Sequence, residues 1–166
     1  MLIQNINNLK YDSYVRKARV LIKDKEDKIV LVKIEGTYVL PGGTVEDGED
    51  TKVAALRELE EEVGLYINDC EFLTTITHYH ENFPCLKTNE IGRRINKIDY
   101  YYADLDEENL KESHPTDFEK THDIKVLRVT SEELNELFGA ERGSFKSFMD
   151  EELSSIITYA KAKGLL

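Results

Sequence analysis

The sequence is short of the residues that mark several protein classes. Its 166 residues include only two cysteines, Cys70 and Cys85, with no C-x-x-C pair and no histidine-rich spacing around them. A disulfide scaffold or a zinc site is therefore not the organising principle, and both thiols read as ordinary buried side chains. Positive charge is also scarce: 22 lysines and arginines stand against 33 acidic residues, a formal net charge of -11. Such a surface repels a nucleic-acid backbone, so DNA is disfavoured as a partner. A phosphorylated ligand would need a local cation to bridge it to the chain. No stretch approaches the roughly 20 apolar residues that span a bilayer. Residues 1–14 lack a basic region followed by an apolar run. Neither membrane association nor a signal peptide is expected, and the expected location is cytoplasmic.

What is present suits one globular domain over residues 1–166. Hydrophobic residues make up 40% of the chain and charged residues 33%, enough of each for a buried core under a solvated surface. The apolar, β-branched runs 18–23 and 28–34 flank the charged turn Asp24-Lys25-Glu26-Asp27 and read as a hairpin. A strand over 37–40 is expected to end at Pro41-Gly42-Gly43. The pattern then predicts a helix over 50–63, capped by Asp50 or Thr51 and closed by Gly64. Strands are expected over 72–80 and 98–105, with a basic loop between them containing Arg93, Arg94 and Lys97. A strand over 126–129 and helices over 131–138 and 144–163 complete the chain. Interleaved strands with a central and a C-terminal helix predict an α/β fold, a mixed sheet packed between helices.

The central helix carries the chemistry. At about 100° per residue, Glu58, Glu61 and Glu62 share an arc about 100° wide. Ala55, Leu56, Leu59 and Val63 occupy the neighbouring arc, the one expected to bury. Like charges at these spacings destabilise a helix, and they stand in its last turns, where the dipole disfavours anions. The arrangement makes sense if divalent cations neutralise it. Hard ions such as magnesium prefer oxygen ligands and bridge readily to phosphate, which supplies the charge the chain lacks. A solvated acidic helix face is the alternative for the carboxylates taken alone.

The segment from Gly43 to Leu65 resembles the Nudix box, G-x5-E-x7-R-E-U-x-E-E-x-G-U with U a bulky aliphatic. Gly43, Glu49, Arg57, Glu58, Leu59, Glu61, Glu62, Gly64 and Leu65 fill all of its specified positions. The resemblance implies a Nudix-type α/β/α sandwich. It further implies that the Gly42 carbonyl and the carboxylates of Glu58, Glu61 and Glu62 hold magnesium, with manganese as a substitute. Arg57 would orient those carboxylates and Glu49 would brace the loop. The implied reaction is hydrolysis of a phosphoanhydride bond in a nucleoside triphosphate or in a nucleoside diphosphate linked to X. A small-molecule nucleotide is the implied substrate, and homodimers are common in the family.

Several further residues are candidates. Many such enzymes take an extra glutamate from a loop before the last strand, where Glu119 stands, with His122 and Asp123 as rivals. Arg19, Arg93 and Arg94 could fork onto substrate phosphates. His78 and Tyr100 fall on strands beside the expected cleft; a base could stack on Tyr100, with packing in the sheet as the alternative role. Two other functions are weighed against hydrolysis of a small nucleotide. A non-catalytic nucleotide-sensing module typically loses box glutamates, and all are present here. An RNA 5′-end pyrophosphohydrolase would suit a more basic surface.

Overall fold

Apolar alternation builds the first hairpin as expected. β1 (Ser13–Lys23) and β2 (Ile29–Ile34) meet at Lys23 and Ile29. The turn between them is closed by a buried Asp24, whose Oδ1 accepts from the backbone N–H groups of Glu26 and Lys28, each at 2.9 Å. The computed structural model of the chain describes residues 6, 8–34, 37–84, 91–105, 125–139 and 146–166. Glu119, His122, Asp123 and Cys85 lie outside them.

β3 (Thr37–Val39) pairs with β2. The Pro41-Gly42-Gly43 stretch does more than end that strand. It leads into β4 (Gly42–Thr44), which lies antiparallel to the middle of β1 and sets Gly42 opposite Arg19. β5 (Glu71–Pro84) and β6 (Ile91–Asp104) are much longer than their apolar runs, so Arg93, Arg94 and Lys97 belong to a strand and not to a loop. The reason is tertiary. β6 is paired on both sides, parallel to β1 and antiparallel to β5, and two ladders hold a charged stretch that propensity alone would leave irregular. β7 (Lys125–Val129) pairs with β2. The sheet runs β3-β2-β1-β6-β5, with β4 beside β1 and β7 beside β2.

α1 (Thr51–Glu58) starts at Asp50, whose side chain accepts from the N–H groups of Lys52 and Val53. The expected single helix to Val63 is modified at its end. Residues Leu59–Val63 form a wider π-helical turn, in which the Gly64 N–H reaches back five residues to the Leu59 carbonyl. Gly64 closes it at φ 69°, the left-handed conformation that glycine adopts without strain. α2 (Ser131–Gly139) and α3 (Lys146–Ala162) follow. No helix among the described residues is long and apolar enough to cross a membrane.

Strand alternation sends side chains to two separate cores, one on each face of the sheet. Ala18, Val20, Ile22, Tyr101 and Ala103 pack under Ala54, Ala55 and Leu59 of the α1 region. On the opposite face Leu21, Ile98, Tyr100 and Tyr102 pack under Leu134 of α2 and Leu153, Ile156, Ile157 and Ala160 of α3. The result is the expected helix–sheet–helix sandwich, with α1 alone on one side. Leu59 is fully buried at the start of the π-turn, so Leu59→Ala is expected to lower the unfolding free energy by about 2–5 kcal/mol in urea titrations. Val53→Ala, on the exposed side of α1, should change it by less than about 0.5 kcal/mol. Equal losses would mean that α1 is not seated through Leu59.

Candidate active site

Two glycines bring the backbone of β4 against the end of α1, each for its own reason. Gly42 has φ 136°, and a Cβ there would stand 2.2 Å from the Ala18 carbonyl oxygen. Gly43 lies under the Glu58 carboxylate, where a Cβ would meet all three carboxylate atoms within 2.4 Å. Any side chain at position 43 would fill the cradle that Glu58 occupies. The Gly42 N–H donates to Glu62 Oε2 at 2.9 Å, which ties the strand directly to the π-turn.

Arg57 gathers the remaining acids. Its Nε and Nη2 donate to the two oxygens of Glu49 at 2.9 and 3.1 Å, a forked pair. Its Nη1 donates to Glu58 Oε1 at 3.0 Å and to Glu61 Oε2 at 2.9 Å, and Nη2 also reaches the Thr44 carbonyl at 3.2 Å. The Arg57 hydrogen bond, with that of the Glu46 N–H, holds the Glu49 carboxyl below the usual carboxylate range. Glu49 in turn accepts from the Glu46 N–H at 2.9 Å, so the loop between β4 and α1 is closed on itself.

Glu58 thus sits against Gly43 and Glu62 against Gly42, while Glu61 is held beside Glu58 by Arg57. Each already has a partner, however: Arg57 for Glu58 and Glu61, and the Gly42 N–H for Glu62. Among the described residues no three acidic, histidine or cysteine side chains converge as a ready-formed metal cage. The donor set is nevertheless what a hard divalent cation takes: carboxylates from one short segment beside a backbone that only glycine permits.

The other candidates fall elsewhere. Arg19, His78, Arg94 and Tyr100 all fall on the α3 face of the sheet: Arg19 is paired with Tyr100, His78 with Asn96, and Arg94, six residues along β6 from Tyr100, with Ser13 and His80. Arg93 projects to the opposite face, where Asp12 accepts from its Nε and Nη2 at 3.1 and 2.9 Å. The residue that joins the α3-face group was not foreseen. Glu152 of α3 is only 4% exposed. Its Oε1 accepts from the Tyr100 hydroxyl and stands 3.4 Å from Arg19 Nε, while its Oε2 stands 3.5 Å from His78 Nε2. The sequence did hold a signal. Glu152 stands four and eight residues before the buried Ile156 and Ala160, on the apolar stripe of α3, yet the run Asp150-Glu151-Glu152 reads as solvated.

Lys17 and Asn96 were also missed, and both lie on this face. Burial, followed by the neighbouring Arg19, pushes the half-buried Lys17 ammonium down to about 8. Arg94 lies over the Phe83 ring with 4.5 Å to its centre. The Asn96 Oδ1 and Arg94 Nε atoms, both buried, find no hydrogen-bond partner among the described residues. Buried polar atoms in that condition call for water or a ligand.

Burial, then His80, holds the His78 imidazole down to about 3, so it faces Glu152 as a neutral ring. Unfolded His78 takes up a proton near its ordinary value of 6.5, which the folded ring refuses until about pH 3. Its contribution to stability is therefore present above pH about 6.5 and is lost as pH falls below it. His78→Gln is expected to flatten the fall of Tm between pH 6.5 and 4 in thermal unfolding series; an unchanged slope would show that the ring is not buried neutral.

Comparison with known proteins agrees with this architecture. A 63-residue stretch is 41% identical to the ADP-ribose pyrophosphatase of Methanocaldococcus jannaschii, covering 34% of this chain and 37% of that protein. A 73-residue stretch is 34% identical to the 8-oxo-dGTP diphosphatase of Proteus vulgaris, covering 40% of this chain and 62% of that one. The matched stretch thus spans less than two thirds of either relative. The crystal structure of an ADP compounds hydrolase superposes with a TM-score of 0.58 at 21% identity, over 90% of this chain and 76% of that one, a likeness of fold. The NUDIX domain model matches residues 13–149, and the chain belongs to the Nudix family.

Proposed function

We propose that the chain is a metal-dependent hydrolase that cleaves a phosphoanhydride bond in a nucleoside triphosphate or in a nucleoside diphosphate linked to X. The observation that carries this reading is the Arg57 hub. One guanidinium holds Glu49, Glu58 and Glu61 together beside a glycine whose missing Cβ makes room for the Glu58 carboxylate. An acidic cluster serving only solubility would not require that clearance. In this reading Glu58, Glu61, Glu62 and the Gly42 carbonyl hold magnesium, or manganese in its place. When bound, the metal polarises phosphoryl oxygens and lowers the pKa of a coordinated water.

The chain's own residues then have distinct tasks. Arg57 keeps the carboxylates aimed and is itself held by Glu49. A glutamate accepts the proton of the attacking water, either one of the box or Glu119, which lies outside the described residues. On the α3 face Lys17, Arg94 and Asn96 receive the rest of the nucleotide, whereas His78 and Tyr100, expected there from the sequence, are fully buried and do not reach it. Support for that placement comes from its cations in a chain of net charge -11 and from the unpartnered buried atoms of Asn96 and Arg94. The named relatives act on an oxidised guanine nucleotide and on ADP-ribose, so the substrate sought is a nucleotide carrying at least one phosphoanhydride.

Glu61→Gln and Glu62→Gln are each expected to lose at least about a hundredfold in phosphate release with magnesium, while Tm moves by less than about 2 °C. Parent activity in either variant would sink the metal-site assignment. Arg57→Lys keeps the charge and loses the fork, and should lower activity by about 10–100-fold. The decisive assay is a panel of nucleoside triphosphates, ADP-ribose and dinucleotides, read by phosphate or pyrophosphate release with and without magnesium. No turnover across that panel would favour a nucleotide-sensing module.

A further inference from the structure

We propose that Glu152 of α3 is a positioning residue for the metal site on the far side of the sheet, acting through Arg19 on the backbone of residues 40–42. The inference rests on the metal-site reading above and adds a dependence that the box does not contain.

Three consecutive residues lead into the site, and each has a backbone group tied by a different residue. The Leu40 carbonyl accepts from Arg19 Nη1 at 2.6 Å. The Pro41 carbonyl accepts from the Val20 N–H at 2.9 Å. The Gly42 N–H donates to Glu62 at 2.9 Å. Two of these ties come from neighbouring residues of β1 and the third from the π-turn, so the Gly42 carbonyl is aimed by all three. Two of the ties rest on side chains, Arg19 and Glu62, and the first hangs on the longer of them. A guanidinium on a long stem has many rotamers, and something must hold it against Leu40.

Glu152 does so. Arg19 is 7% exposed and Glu152 4%, and their side chains meet at 3.4 Å. The carboxylate is itself fixed by the Tyr100 hydroxyl. A buried ion pair of this kind adds little stability compared with well-packed apolar side chains, so stability alone is a weak reason for it. Its geometric effect is specific. Remove the carboxylate and a buried guanidinium loses its counter-charge, is free to turn toward another acceptor, and releases the Leu40 carbonyl. The register of β4 beside β1, which places Gly42 opposite Arg19, carries the disturbance directly to the metal-binding backbone.

The test uses the full chain with Mn2+ as probe, following the free-ion electron paramagnetic resonance signal, together with kcat and KM on the best substrate of the panel. Glu152→Gln, which keeps shape and an acceptor for Tyr100, is expected to weaken Mn2+ binding by about tenfold and to lower kcat alike, with KM for the nucleotide near the parent value. Arg19→Lys should show the same pattern, because one amine cannot serve Leu40 and Glu152 together. The double variant should be no worse than the more severe single one. Parent Mn2+ affinity in Glu152→Gln with only a lowered Tm would make the pair merely structural and overturn the proposal. A raised KM with unchanged Mn2+ affinity would assign Glu152 to the nucleotide and overturn it too. If Glu152→Gln does not fold, Arg19→Lys decides by the same readouts. Glu61→Gln separates the two levels: if it binds Mn2+ like the parent, the metal-site reading itself falls, whereas loss there with no change in Glu152→Gln or Arg19→Lys removes only the positioning role.

Discussion

The structure around the site depends on one guanidinium. Glu58, Glu61 and Glu62 crowd the last turns of a helix where dipole and mutual repulsion both oppose them. Arg57 stands among them and donates to Glu49, Glu58 and Glu61 at once. The fork matters as much as the charge. Five donors in a rigid plane can satisfy a bracing carboxylate on one edge and two aimed carboxylates on the other, which an ammonium could not do. The loop before α1, the seating of β4 and the direction of the carboxylates all follow from that contact.

The sheet separates two kinds of polar chemistry. On the α1 face the acids are half-buried and close to the surface, suited to a cation that arrives with substrate. On the α3 face Arg19, His78, Tyr100 and Glu152 are nearly sealed from solvent. Burial keeps His78 neutral and pushes the Tyr100 hydroxyl well above its usual range. Lys17, on the same face, feels the carboxylates of Glu152 and Glu58, which oppose the lowering by burial and Arg19. Between the two faces, β4 adds a short strand beside β1 and sets Gly42 opposite Arg19.

Much of this was legible in the residues. The order of strands and helices apart from β4, the Asp50 and Gly64 caps, the buried stripe of Ala55 and Leu59 and the two-sided packing all follow from local periodicity and capping chemistry. Where local pattern was weak it misled. The stretch 91–97 is polar and basic, yet it is strand, because β5 pairs with it from Ile91 and β1 adds a second ladder from Arg94 onward. The straight helix to Val63 becomes a π-turn in its last residues, since Gly64 accepts the left-handed conformation and the Leu59 carbonyl takes a donor five residues on.

The sequence by itself determined the Nudix-box segment, its acids, its arginine and its glycines, because all of them lie within 23 consecutive residues and their spacing is local. Only the tertiary structure decided that Glu152, over a hundred residues from Gly42, lies behind it. An acid at the start of an amphipathic helix reads as solvent-facing until the sheet supplies a buried arginine, a tyrosine and a histidine to meet it. Contacts between distant segments depend on register and layer order, and neither is written in any one stretch of the chain.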